Sequence, residues 1–153
     1  MALIKVDGLA ARFAPLKLST KAPEDLVDRD VVAVGYPARD DRNDLALQDK
    51  IFSSIYNVKR LQPGKLRKRV SIRSFESVVN AVTHDSSTLG GNSGSAIIDA
   101  NTGEVVGLHF AGEYLKANYA VHAYVETFGS WARGGTIRFS GTPGPSASFS
   151  RDR

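Results

Sequence analysis

At 153 residues, with 42% hydrophobic and 24% charged side chains, the chain has the balance of a single globular domain, long enough to bury a core. No apolar run approaches the roughly eighteen residues that mark a membrane-spanning helix, and the absence of cysteine excludes a disulfide framework and a thiolate metal site. A net charge of +4 permits a polyanionic partner without demanding one. The opening Met1-Ala-Leu-Ile-Lys-Val-Asp7 has neither the basic nor the long apolar segment of a secretion signal, so the compartment stays open.

In chain order, Ala2–Val6 is a short apolar run of strand type. Residues 8–30, with Pro15, Pro23 and the polar Pro23-Glu-Asp-Leu-Val-Asp-Arg-Asp30, read as a connecting segment. Val31-Val-Ala-Val34 predicts a buried strand stopped by Gly35-Tyr-Pro37. Residues 39–44 are charged and predict a solvated loop, and the β-branched and aromatic residues of 51–61 predict a strand. Pro63-Gly64 is a turn signal, and Val78-Val-Asn-Ala-Val-Thr83 predicts another strand. Residues 95–99 and 104–110 flank Ala100-Asn-Thr-Gly103 as a hairpin would, and Tyr119–Val121 predicts one more short strand. Val121, Tyr124, Val125, Phe128 and Ala132 follow helical spacing, which predicts a short C-terminal helix ending near Gly134. Residues 134–153, rich in Gly, Ser and Pro, predict a disordered tail. Many short strands, one terminal helix and no alternation of strand with helix predict an all-β barrel.

The chemistry is concentrated in Gly91-Asn-Ser-Gly-Ser95, within Thr83–Ala96. A nucleophilic serine needs glycines beside it because the chain turns sharply there, often at positive φ. Backbone N–H groups must also converge where a substrate carbonyl oxygen becomes negative, and a side chain at Gly91 would crowd that point.

These residues resemble the trypsin-like (chymotrypsin-fold) serine peptidases. Gly91-Asn-Ser-Gly-Ser95, followed by a hairpin and Val105-Val-Gly-Leu-His-Phe110, is most similar to the bacterial glutamyl-endopeptidase branch, as is the preceding His84-Asp-Ser-Ser-Thr-Leu-Gly-Gly91. The resemblance runs from about Val31 to Phe128, and Val31–Pro37 looks like the first strand of the family's second barrel. It implies a six-stranded antiparallel Greek-key barrel with a short C-terminal helix over 31–133, carrying only the C-terminal half of the family's fold. It implies Ser93 as nucleophile, the amides of Gly91 and Ser93 as the oxyanion hole, and Thr88 and His109 as substrate-binding residues that favour an acidic side chain, Glu above Asp. The substrate would be a peptide or protein, cleaved through an acyl-enzyme, with no cofactor and no metal.

One departure bears on activity. The family places its histidine in a first barrel and its aspartate just before a strand like Met1-Ala-Leu-Ile-Lys-Val6. Residues 1–7 therefore resemble the last strand of an absent first barrel, which would be supplied in cis or in trans. Of the three histidines, His84 and His109 fall in the second barrel without the general-base role, and His122 reads as a surface residue at the start of the predicted helix. A serine without a base is a neutral alcohol and a poor nucleophile, so the chain alone is expected to be inactive. The alternative is a non-catalytic barrel module that binds peptide or nucleic acid. Lys59–Arg69 is strongly basic, but stacking aromatics do not interleave with its charges, so it reads as a solvated hairpin and no nucleic-acid partner is expected. No membrane partner is expected, and carboxylates and histidines show no metal-ligand spacing.

Overall fold

The computed structural model describes residues 7–8 and 14–123. The expected strand at 2–6, all but the start of the expected C-terminal helix, and the tail at 134–153 lie outside the described residues. Six antiparallel strands form one sheet: β1 (Asp30–Gly35), β2 (Arg60–Ser74), β3 (Ser77–His84), β4 (Ala96–Asp99), β5 (Val105–Glu113) and β6 (Ala117–His122). Their order β1-β2-β3-β6-β5-β4 closes on itself, because β1 pairs with β2 on one side and with β4 on the other. Alternation builds the interior. Val31 and Ala33 of β1 point inward and meet Leu66, Val82, Ile97, Val106 and Ala120 in one apolar cluster. Leu26, from a 3₁₀ turn at Pro23–Leu26, is buried in the same cluster. The connecting segment is also docked by Ser19 N–H to the Val105 carbonyl and by Val105 N–H to the Lys17 carbonyl, each 2.8 Å.

Two stretches differ from the sequence-based expectation. Residues 51–59 are not strand, which begins only at Arg60: Leu45–Phe52 form helix α1. Asp44 caps it by accepting from Leu47 N–H at 2.9 Å, Gln48 and Phe52 face inward, and positive φ at Ser53 and Ser54 ends it. Pro63-Gly64 is not a turn but lies inside β2, opposite Val32 and Val31. Proline is tolerated there because β2 meets β3 only from Leu66 onward, so the missing N–H takes no bond from the ladder on that side. Gly64 is required by crowding, since a Cβ would lie 2.5 Å from the Ser86 nitrogen. The basic run Lys59–Arg69 is therefore mostly one strand, and the hairpin turn falls later, at Phe75-Glu76.

Candidate functional site

The loop between β3 and β4 carries Ser93, and its backbone is held open by two glycines for different reasons. Gly91 sits at φ +87°, and a Cβ there would lie 2.6 Å from the Tyr36 carbonyl oxygen, so both conformation and space exclude a side chain. The residue that a Cβ would strike belongs to the segment after β1. Gly94, at φ +89°, has open space around it and is needed for conformation alone.

Between them Asn92 is wholly buried and Ser93 is exposed. Asn92 exchanges two hydrogen bonds with the buried Gln62 of β2: Gln62 Nε2 donates to Asn92 Oδ1 at 2.9 Å, and Asn92 Nδ2 donates to Gln62 Oε1 at 3.3 Å. Asn92 Nδ2 also reaches the Leu89 carbonyl at 3.2 Å. The loop is stitched to β5 through His109, whose carbonyl accepts from Gly94 N–H at 2.8 Å and whose N–H donates to the Ser95 carbonyl at 2.9 Å. The serine and His109 thus keep a fixed register.

Asp40 braces the other side. Its carboxylate accepts from Gly90 N–H at 3.1 Å and from Arg42 at 2.6 and 2.7 Å, and its backbone is held by Gln48 of α1. The Arg42 guanidinium holds the Asp40 carboxyl down at about 2. The 39–44 segment, expected to be a solvated loop, therefore contains a buried anchor. Neither Asp40 nor Gln62 emerges from sequence reasoning. Asp40 sits among charged neighbours, and the only hint of Gln62 is that strand alternation turns it inward with Leu66.

Ser93 Oγ has one hydrogen-bond partner among the described residues, the Phe110 carbonyl at 3.4 Å. The N–H groups of Gly91 and Ser93 donate to nothing among the described residues. A cleft of about 770 Å³ opens beside the serine, walled by α1, the Gly90 segment, β5 and the β5–β6 turn. Thr88 and His109 both line it, together with Ser93.

None of the three histidines is bonded to Ser93. His84 Nε2 lies 3.1 Å from His109 Nδ1, with the rings edge to face, and both are buried. His122, expected at the surface, is instead the buried last residue of β6, because that strand extends where the helix was predicted to begin. Burial, and then the neighbouring His109, push the His84 ring down to about 3; burial pushes His109 and His122 down to about 4.

These shifts set the sign of an acid response. Unfolded histidine takes up its proton near pH 6.5, and these folded rings refuse it until far lower. Stability is therefore fully present above pH 6.5 and falls as pH drops toward 4, by up to about 1.4 kcal/mol per pH unit for each ring. Asp40 adds its own loss only below its ordinary value of 3.8, down to about 2. Urea midpoints should be flat from pH 8 to 7 and clearly lower at pH 5, before most carboxylates titrate. An unchanged midpoint at pH 5 would mean that the rings are not buried as described.

The basic strand offers little to a polyanion. Lys65 pairs with Asp30 at 2.7 Å, Arg67 with Asp28 at 2.5 Å and Asp85 at 2.7 Å, and Arg69 faces Glu24 at 3.6 Å. Association with duplex DNA should be weak at low salt and vanish near about 0.15 M. Fluorescence anisotropy that persists in higher salt would restore a nucleic-acid interface. No group of three metal-binding side chains occurs among the described residues.

Comparison with known proteins adds three findings. A family model described as a trypsin-like peptidase domain matches residues 1–108. A "Probable serine protease" of Lysobacter enzymogenes is 29% identical over 137 residues, covering 76% of this chain. The chain spans 35% of that relative's length. The M. tuberculosis Rv3671c protease is similar in fold: its active form at TM-score 0.56 and 21% identity over 83% of this chain and 51% of that one, its inactive form at 0.55 and 17% over 77% and 55%.

Proposed function

The chain belongs to the trypsin-like peptidase domain family, and from that membership we propose that it supplies the nucleophile, oxyanion hole and specificity pocket of a serine endopeptidase. Its barrel is read as the second, Greek-key barrel of the chymotrypsin fold. The observation that carries the reading is the Ser93 loop: an exposed hydroxyl between two glycines at positive φ, anchored from below by a buried asparagine.

In the proposed reaction Ser93 Oγ attacks the substrate carbonyl carbon and its proton passes to a histidine base. The carbonyl oxygen, now negative, is held by the Gly91 and Ser93 N–H groups. The C–N bond then breaks as the histidine returns the proton to the leaving amine, and water repeats the sequence on the ester. The base and the aspartate that orients it come from a first barrel, in cis or in trans. This is supported by the histidines within the chain: two are bonded to each other and none to the serine. Intact loop anchors favour this reading over a binding-only module, since simple peptide binding does not need two glycines at positive φ around an exposed serine.

Thr88 and His109 are proposed to read the side chain preceding the cleaved bond. A glutamate there would require two donors, and the direction of the Thr88 hydroxyl bears on whether this pocket offers them. The nucleophile and oxyanion roles are tested by a crystal structure with a peptide boronic acid. The expected adduct is a tetrahedral boronate on Ser93 Oγ with one oxygen about 2.7–3.1 Å from the Gly91 and Ser93 nitrogens. A boronate bound elsewhere, or with no oxygen facing those amides, would contradict the assignment.

A further inference from the structure

The polar floor of the cleft beside Ser93 has hydrogen-bond directions that can be assigned atom by atom. Asn118 on β6 stands opposite Gly112 on β5 and fills the space a side chain at 112 would need, with Oδ1 2.5 Å from where its Cβ would lie. Asn118 Nδ2 donates to the Ser86 carbonyl at 2.7 Å. A carbonyl only accepts, so the amide nitrogen is on that side and the amide oxygen faces Thr88. Thr88 Oγ1 lies 2.5 Å from that oxygen. Asn118 Oδ1 has no hydrogen to give, so the Thr88 hydroxyl spends its own on it and offers the cleft only lone pairs.

The histidine pair can be assigned in the same way. Nδ1 of His84 is buried without a partner. A buried N–H left unpaired is costlier and rarer than a buried lone pair, so His84 carries its hydrogen on Nε2 and donates it to His109 Nδ1. His109 then keeps its hydrogen on Nε2, the nitrogen that His84 does not engage. The two cations in the cleft wall are already held, Arg42 by Asp40 at 2.6 Å and Lys116 by Glu113 at 2.8 Å.

We propose that Asn118 is a specificity-determining residue, and that the pocket selects an uncharged side chain bearing both an acceptor and a donor, the carboxamide of glutamine or asparagine. His109 Nε2–H donates to the carboxamide oxygen, and the Thr88 oxygen accepts from its NH₂. A carboxylate would meet one neutral donor, no free cation, and a lone pair directed against it. This rests on the peptidase reading of the cleft and names the substrate class within it.

The test is an NMR titration of the chain at pH 7.5 with three hexapeptides that differ only in a last residue of Gln, Glu or Leu. The Gln peptide should bind about tenfold or more tightly than either of the others. Asn118→Ala releases the Thr88 hydrogen to the cleft and should bring the Glu peptide to parity with Gln or beyond. Tighter binding of Glu by the unmodified chain, or a Gln-to-Glu ratio unmoved by Asn118→Ala, overturns the inference and leaves the peptidase reading standing. Binding of none of the three, or of all alike, removes the peptidase reading and this inference with it. Should Asn118→Ala fail to fold, the ¹⁵N shifts of the His109 ring decide: Nε2–H is expected, and Nδ1–H overturns the proposal.

Discussion

Ser93 in this chain is expected to react with a fluorophosphonate at least about a thousandfold more slowly than the serine of a complete triad. Phosphonylation forms a P–O bond, breaks the P–F bond and requires the hydroxyl proton to leave, and at neutral pH an unassisted serine holds that proton firmly. The chain has three histidines, and none is hydrogen-bonded to Ser93. His84 and His109 are bonded to each other, His122 ends β6 in the interior, and the Ser93 hydroxyl reaches only the Phe110 carbonyl. A carbonyl accepts a hydrogen bond but does not remove a proton. Peptide hydrolysis by the chain alone should likewise be undetectable. Rapid stoichiometric labelling, abolished by Ser93→Ala, would show that a base is present.

Asn92→Ala should destabilise the fold by about 2–4 kcal/mol, although the residue touches no substrate in the proposed reaction. Asn92 is fully buried, and its side chain exchanges both amide bonds with Gln62 while also holding the Leu89 carbonyl. Truncation leaves the Gln62 amide, itself only 3% exposed, with two polar atoms facing no partner. That desolvation, rather than the lost bonds alone, makes the cost large. Removing both partners together, Gln62→Ala with Asn92→Ala, should cost less than the sum of the single changes by about 1–3 kcal/mol. Strict additivity in urea denaturation would mean that the two amides are not paired. Because Asn92 Oδ1 also accepts from the Ser95 hydroxyl, at 3.4 Å, the same variant should loosen the loop that presents Ser93.

The legible parts of this protein were those whose signal is local. The Gly91–Ser95 motif carries its own reason for each glycine, and both flanking strands of the 95–110 hairpin emerge from residue type and turn chemistry. The all-β class followed, and Thr88, His109 and Ser93 do share one cleft. What stayed hidden depends on contacts distant in sequence. Pro63 looks like a turn unless it is known that β2 lacks its β3 neighbour at that point. Helix α1 is short and its cap is a single aspartate in a charged stretch, so the aromatic and β-branched residues that follow outweighed it. His122 looked exposed because the apolar spacing around it fits a helix, whereas pairing of Gly107 with His122 continues the strand. Asp40, Gln62 and Asn118 are polar residues that brace the site through partners 50, 30 and 30 positions away. No pattern along the chain encodes such a pairing.

Chemical rescue tests the central claim most directly, because it separates a serine that lacks only its base from a serine that was never a nucleophile. Free imidazole, added during fluorophosphonate labelling at neutral pH, can reach the exposed Ser93 and accept its proton. Mass-spectrometric mapping should place the adduct on Ser93, with a rate that rises in proportion to imidazole, exceeds that of an N-acetylserine amide control, and disappears in Ser93→Ala. A labelling rate at Ser93 no faster than the control at any imidazole concentration, or an adduct on another residue, would contradict the account.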